Sequence, residues 1–147
     1  MNLIGGEPTL HPKLIEFLKE IKDVNFINVY IFTNLSASEI SLREIIDTKA
    51  KITASWHNEN NHFIEKVNII KDNIKDIIVM FEHDNQMAID VYNNLSSLQC
   101  YRELAVIIGE QYTEKELFFL KNIISKNEKK IYTITDFNGN DYKMNFS

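Results

Sequence analysis

Cysteine is almost absent from this sequence, since Cys100 is the single one among 147 residues. The chain therefore cannot form an intramolecular disulfide, and no cysteine-based metal site can be completed within it. Basic residues are also in deficit, with 16 Lys and Arg against 21 Asp and Glu and a formal net charge of -5. This balance gives no electrostatic reason to bind nucleic acid or an anionic membrane surface, and we expect neither as a partner.

Long apolar runs and a signal peptide are missing as well. No stretch of the sequence approaches the roughly 20 apolar residues that cross a bilayer. The first residues, MNLIGGEP, lack the basic and apolar regions of a secretory signal. We therefore expect a cytoplasmic protein, and the 44% hydrophobic content of the 147 residues suits one folded domain.

What the sequence does contain is a regular alternation of short β-branched runs and longer amphipathic stretches. Strands are predicted at NLI, NVYIFTNL, KITASWH, DIIVMFE and LAVIIG, each followed by a helix. Ser36 with Glu39 predicts the start of the second helix, and Thr113 with Glu116 the start of the fifth. The inward faces of these helices are expected to include Ile40, Val67, Met87 and Leu117. This order predicts an α/β fold with a parallel sheet whose strands are apolar on both faces.

The end of the chain departs from this alternation. KIYTITDF, the turn signal Asn138-Gly139 and YKMNF predict a β-hairpin over about residues 129–147. The βα units occupy about residues 1–135 of what we expect to be a single domain. Their pattern fits either a segment of a curved (β/α) barrel or an open doubly wound sheet.

Both architectures place their ligand sites at the carboxyl ends of the strands. In this sequence those ends are Gly5-Gly6-Glu7, Thr33-Asn34, Ser55-Trp56-His57, Glu82-His83-Asp84 and Gly109-Glu110. The polar residues there are either binding groups or the ordinary polar loops that must follow any strand.

Several of these residues allow more than one interpretation. A metal site built from His57, His62 and the Glu82-His83-Asp84 turn is one hypothesis, and solvated loop histidines are the other. Trp56 either packs at the mouth of the sheet or stacks on a substrate, and we expect packing. Cys100 is expected to be a buried or edge thiol without a nucleophilic role.

Two of the four glycines and both prolines fall in one decapeptide, LIGGEPTLHP, at residues 3–12. Gly5 and Gly6 permit φ values that are closed to other residues, and they let a ligand approach the main chain. Glu7 holds a carboxylate suited to an ammonium group, and Pro8 stiffens the exit by fixing φ. A tight strand-to-helix turn without a ligand would use the same residues, so the tetrapeptide alone leaves both readings open.

The order of elements around this motif resembles a known enzyme family. GGEPTLHP, an amphipathic helix and a strand ending in TN are similar to the second and third βα units of radical S-adenosylmethionine (radical SAM) enzymes. The resemblance covers about the first 35 residues, and the βα alternation continues it to about residue 135. It implies a partial (β/α) barrel in which Gly5, Gly6, Glu7 and Pro8 receive the methionyl amino group of S-adenosylmethionine.

The resemblance extends to two further strand ends. Thr33 and Asn34 occupy the T-N positions of a strand that commonly ends T-N-G in the family, but Leu35 stands where glycine is usual. Ser55 matches a position that often contacts the ribose or carboxylate of the cosubstrate. Family members hold a 4Fe-4S cluster through a C-x-x-x-C-x-x-C loop and use it to generate a 5′-deoxyadenosyl radical.

That cluster is not expected on this chain, because the sequence starts at the second strand and contains only Cys100. The preferred hypothesis is therefore an N-terminally incomplete radical SAM core that is inactive by itself. Its exposed edge strand would pair with a missing N-terminal segment or with a second copy. The alternatives are a cluster-free α/β module that binds S-adenosylmethionine, a nucleoside or a protein partner, and an unrelated doubly wound domain.

Overall fold

The computed structural model describes residues 1–24, 28–58, 60, 62–107, 110–124, 131–136 and 138–145. Five strands form a parallel sheet, and they are β1 (Asn2–Leu3), β2 (Tyr30–Thr33), β3 (Lys51–Trp56), β4 (Ile74–Phe81) and β5 (Tyr101–Val106). Five helices follow them in turn, namely α1 (Leu14–Ile21), α2 (Glu39–Ile46), α3 (Phe63–Ile70), α4 (Gln86–Asn94) and α5 (Glu114–Ile124). The predicted α/β class is confirmed.

The strands stand in the order β1-β2-β3-β4-β5, so each neighbours the next one along the chain. A doubly wound sheet reverses its strand order at a switch point, and the described strands contain no such reversal. Right-handed crossovers that advance in one direction place the connecting helices on one face of the sheet. Within the described residues the sheet is open, with β1 and β5 at its edges.

Burial along the strands reflects this one-sided cover. In β4, Ile77, Val79 and Phe81 are at most 1% exposed, whereas Ile78 and Met80 between them are only half-buried. β4 is apolar on both faces, as expected, but only one of those faces is fully buried. The apolar run DIIVMF hides an alternation in which only every second side chain packs under the helices.

The covered face carries the core of the molecule. Helix residues such as Leu18, Leu42, Val67 and Leu120 are 0–1% exposed and pack in the same cluster as the buried strand residues. Two predicted inward residues are instead exposed, Ile40 by 74% and Met87 by 52%. The buried side of α2 consists of Leu42 and Ile45, and that of α4 includes Ala88 and Val91. Each residue along a helix turns it by about 100°, so a helix face predicted one residue out of place points away from the core.

Helix α2 also begins differently from its prediction. Its N-cap is Ser38, whose Oγ accepts a hydrogen bond from Ser41 N at 3.2 Å, so the predicted Ser36–Glu39 capping box is wrong. The Thr113–Glu116 box of α5 is confirmed, because each residue's side chain accepts a hydrogen bond from the other's backbone N–H.

The predicted hairpin forms, with β7 (Ile131–Asp136) antiparallel to β8 (Asp141–Asn145) and Gly139 at φ 81° in the turn. Strand β7 does not extend the parallel sheet. It pairs with the two-residue strand β6 (Gln111–Tyr112) in a separate three-stranded sheet. No helix in the described part of the chain has the length and apolar character needed to span a membrane.

Candidate functional site

The loop that follows β1 depends on its two glycines. Gly5 lies at φ 102° and Gly6 at φ 54°, in the region that side chains rarely adopt. A Cβ built on either residue would meet no atom within 4 Å. The backbone conformation, rather than crowding, therefore requires glycine here, and the surface of the loop is open.

Glu7 connects this loop to the end of the neighbouring strand. Its Oε1 accepts hydrogen bonds from Thr9 N at 3.1 Å, from Thr33 Oγ1 at 2.6 Å and from the hydroxyl of Thr9. Its Oε2 accepts one from Asn34 N at 2.8 Å. The carboxylate thereby caps the short 3₁₀ turn Pro8–Leu10 and also holds the end of β2. Three of the predicted residues, Glu7, Thr33 and Asn34, form one hydrogen-bonded unit.

The two oxygens of Glu7 differ in their remaining capacity. A carboxylate offers about four acceptor positions, two on each oxygen. Oε1 already accepts from three donors, whereas Oε2 accepts from one. By this count Oε2 keeps one acceptor position, and a charged donor such as an ammonium group gains most from a carboxylate.

Leu35 adopts a backbone conformation that glycine reaches more easily than other residues. Its φ is 60°, a left-handed conformation that costs a residue with a Cβ about 1–2 kcal/mol. The leucine is nevertheless 0% exposed, so burial of its side chain offsets that cost. The backbone bend that a glycine would allow is therefore present here without glycine.

Side chains from the next βα unit support this bend. Asn60 Nδ2 donates to Asn34 O at 2.7 Å, and Lys66 Nζ donates to Leu35 O at 2.8 Å. The hydroxyl of Thr33 accepts from Leu35 N at 2.9 Å while it donates to Glu7. The carbonyls of Asn34 and Leu35 are thus hydrogen-bonded by side chains of the same chain, which hold the bend in this conformation. Asn60 and Lys66 were missed from the sequence because nothing local marks a contact over 26 and 31 positions.

The two remaining predicted residues, Pro8 and Ser55, make few contacts with the Glu7 unit. Pro8 opens the 3₁₀ turn, where its missing N–H is not needed. Ser55 lies on the half-buried face of β3, and its Oγ is 3.5 Å from Thr33 O, at the outer limit of a hydrogen bond. Ser55 is therefore a neighbour of the Glu7 unit rather than a member.

A second polar cluster lies at the carboxyl end of β4. Glu116 Oε1 accepts from Asp84 N at 2.7 Å, and its Oε2 accepts from Thr113 N at 2.6 Å, while His83 Nδ1 is 3.1 Å from Oε2. Burial raises the pKa of Glu116, but hydrogen bonds from Thr113, Asp84 and His83 outweigh it and leave the pKa below its ordinary value. This carboxylate fastens the β4–α4 turn, in which Asp84 has φ 57°, to α5.

The buried side chain of Tyr112 links the carboxyl ends of β4 and β5 by hydrogen bonds. Its hydroxyl donates to Phe81 O at 2.9 Å and accepts from Ile107 N at 3.0 Å, and its ring stacks on Phe81 with centroids 5.8 Å apart. Burial, together with the nearby carboxylates of Glu110, Glu116 and Glu82, raises the pKa of Tyr112 to about 12. Nothing in the sequence predicts this role, because QY is too short to be recognised as a strand.

The structure also shows the surroundings of the other residues singled out in the sequence, namely Trp56, the histidines and Cys100. Trp56 is 1% exposed and packs in the core, as expected. His57 is exposed, and His62 contacts Glu65 of its own helical turn at 2.7 Å. The described residues contain no group of three or more His, Cys, Asp or Glu side chains able to hold a metal ion. Cys100 is half-buried, and burial raises its pKa, which disfavours the nucleophilic thiolate.

Gly109, from the last of the predicted strand ends, lies outside the described residues.

Comparison of the chain with protein-family models, with curated proteins and with solved structures gave no match. The geometry of the Glu7 unit is therefore the basis for any functional conclusion.

Proposed function

We propose that this chain is the cosubstrate-binding part of a radical SAM domain. In this proposal Gly5, Gly6, Glu7 and Pro8 hold the methionyl amino group of S-adenosylmethionine. The observation that carries it is the Glu7 carboxylate, which is hydrogen-bonded to Thr33 and Asn34 and keeps an acceptor position on Oε2. The residues of the two motifs that suggested the family are thus in direct contact.

Three further features support the proposal. The five parallel strands follow one another without reversal, as in a segment of a (β/α) barrel. One face of that sheet is only half-buried, which leaves room for a ligand to extend from the strand ends across it. The bend after Asn34 has a left-handed residue, Leu35, at the position where the family commonly has glycine.

The proposal is confined to binding of the cosubstrate. A 4Fe-4S cluster in this family requires three cysteines, and the sequence has one, so the residues present do not fit the cluster. Within the binding site, Glu7 Oε2 would accept from the ammonium group, and the open Gly5-Gly6 backbone would contact the amino acid part. Ser55, on the half-buried face of β3, would lie towards the ribose or carboxylate.

Isothermal titration calorimetry with S-adenosylmethionine tests this proposal directly. We expect micromolar binding by the wild-type chain. 5′-Methylthioadenosine has the same nucleoside but no amino acid group, so it should bind at least about tenfold more weakly, the loss expected for one charge-assisted hydrogen bond. This ligand pair measures the contribution of the amino acid part together with the sulfonium charge, without changing the protein.

A pair of variants then locates the contact on the protein. Glu7→Gln removes the charge at the proposed contact and should weaken binding by about tenfold or more. Glu20→Gln removes an equal charge from the exposed side of α1 and should bind as the wild type does. Absence of S-adenosylmethionine binding to the folded wild-type chain, or equal binding of the two ligands, would contradict the proposal.

A further inference from the structure

Lys66 contacts the bend after β2, although it lies 31 positions further along the chain than Leu35. Its side chain is half-buried in the first half of α3, and its Nζ donates to Leu35 O at 2.8 Å. Among the residues that the structure describes, the ammonium group of Lys66 forms no ion pair. Its charge is directed at a main-chain carbonyl, and a hydrogen bond from a charged donor is stronger than one from a neutral donor.

The carbonyl that Lys66 holds belongs to a backbone conformation that needs support. Leu35 lies at φ 60°, which is unfavourable for a residue with a Cβ. Burial of the leucine side chain favours the bend, but a side chain can reach a core from more than one backbone conformation. The direction of a carbonyl follows from the ψ of its own residue, so the hydrogen bond from Lys66 helps to hold Leu35 in the left-handed conformation.

The same bend determines where the N–H of Asn34 points. Asn34 N donates to Glu7 Oε2 at 2.8 Å, and among the described residues it is the one donor to that oxygen. Oε2 is also the oxygen that keeps an acceptor position for a ligand. The peptide groups on the two sides of Asn34 and Leu35 are adjacent, so a change in the dihedrals of Leu35 also moves the N–H of Asn34. Lys66 is thereby connected to Glu7 through two hydrogen bonds and one bend.

We propose that Lys66 is a positioning residue for ligand binding at Glu7. By holding Leu35 O it keeps the Asn34 N–H on Oε2, and it thereby fixes the oxygen that accepts the ammonium group of the ligand. Lys66 acts through the bend and does not touch the ligand. Its role in ligand affinity rests on the binding of S-adenosylmethionine proposed above, whereas its link to Glu7 does not.

The link within the protein is measured without a ligand, by ¹H–¹⁵N NMR over a series of pH values. An amide that donates to a carboxylate changes its proton shift when the carboxylate is protonated, so the Asn34 amide of the wild type should follow the titration of Glu7. In Lys66→Met, which keeps a long side chain without the ammonium group, this change should become severalfold smaller. Lys66→Arg keeps a charged donor and should restore it. Lys71→Met removes an equal charge from an exposed position directly after α3 and should behave as the wild type does.

Calorimetry with S-adenosylmethionine then tests the role in ligand affinity. This ligand has a net positive charge, so removal of a lysine charge alone would leave its binding unchanged or make it tighter. Loss of positioning has the opposite sign. Lys66→Met should bind S-adenosylmethionine about threefold to tenfold more weakly, up to the contribution of one charge-assisted hydrogen bond. 5′-Methylthioadenosine lacks the amino acid part and should bind Lys66→Met and the wild type equally.

Equal titration of the Asn34 amide in Lys66→Met and Lys71→Met would overturn the link to Glu7. Unchanged or tighter binding of S-adenosylmethionine by Lys66→Met, when the wild type binds it, would overturn the role in ligand affinity. If the wild type binds no S-adenosylmethionine but its Asn34 amide depends on Lys66, the proposed function fails and the link to Glu7 stands. Should Lys66→Met fail to fold, as judged by its thermal melt, Lys66→Gln replaces it, because its amide nitrogen ends one atom short of the lysine nitrogen.

Discussion

Replacement of Glu7 by alanine should disconnect the ends of β1 and β2 while both strands stay intact. Four donors lose their acceptor, namely Thr9 N, Thr9 Oγ1, Thr33 Oγ1 and Asn34 N. A hydrogen bond to a charged group contributes about 1.5–3 kcal/mol and a neutral one about 0.5–1.5 kcal/mol. Glu7 is only half-buried, so water recovers part of the loss, and we expect the free energy of unfolding to fall by about 2–3 kcal/mol.

Equilibrium unfolding in urea, followed by circular dichroism, measures this loss as a lower midpoint at an unchanged slope. For a domain of this size the same loss lowers Tm by roughly 4–12 °C. Glu20→Ala, an exposed glutamate of α1, is the matched control and should change stability by less than about 0.5 kcal/mol. The difference between the two variants isolates the hydrogen bonds of Glu7 from the loss of a charge.

A double-mutant cycle with Thr33→Val then tests the contact itself, because valine keeps the shape of threonine and removes the hydroxyl. The two residues are joined at 2.6 Å, so the cycle should give a coupling of about 1 kcal/mol or more. Equal effects of Glu7→Ala and Glu20→Ala, or zero coupling, would refute the reasoning. The basis for cosubstrate binding at Glu7 would then be lost as well.

Three other expectations follow from the same structure. Leu35→Gly relieves about 1–2 kcal/mol of backbone strain but deletes a buried leucine worth about 2–5 kcal/mol, so urea unfolding should show a net loss; increased stability would mean that strain dominates. Tyr112→Phe leaves two buried groups without a partner and should cost about 1–3 kcal/mol at neutral pH. Because the pKa of Tyr112 is raised from 10.0 to about 12, the wild type should also lose more stability across that interval than the variant does. The pKa of Glu116 is lowered from 4.5, so the ionised carboxylate stabilises the fold above that pH, and this stabilisation is lost as the pH falls. In thermal melts, Glu116→Gln should therefore lower Tm less in acid than at neutral pH.

The parts of the fold that could be predicted are those specified by local pattern. Apolar periodicity located all five βα units, and the box of Thr113 and Glu116 identified the start of α5 because both partners lie within one helical turn. The hairpin at Asn138-Gly139 is local in the same sense. The start of α2 was predicted wrongly, because the cap is Ser38, directly before the helix, and not Ser36.

The parts that could not be predicted depend on contacts between distant residues. The hydrogen bond of Glu7 to Thr33 spans 26 positions, and the contact of His83 with Glu116 spans 33. One-sided burial of β4 was also hidden, since Ile78 and Met80 are apolar yet half-exposed. Apolar character tells which residues can be buried, but topology decides which of them are covered.

Glu7, in the loop after β1, and Glu116, at the start of α5, are both carboxylates that accept hydrogen bonds from threonine hydroxyls, so such a carboxylate does not by itself indicate a binding site. Glu7 and Glu116 each accept hydrogen bonds from four donors, so the number of donors does not distinguish them. Their surroundings do. The ring nitrogen Nδ1 of His83 lies 3.1 and 3.2 Å from the two oxygens of Glu116, so it lies against both of them. Glu7 Oε2 accepts only from Asn34 N, and the adjoining glycine loop is open. This difference is why we interpret Glu116 as a structural group and propose ligand binding at Glu7.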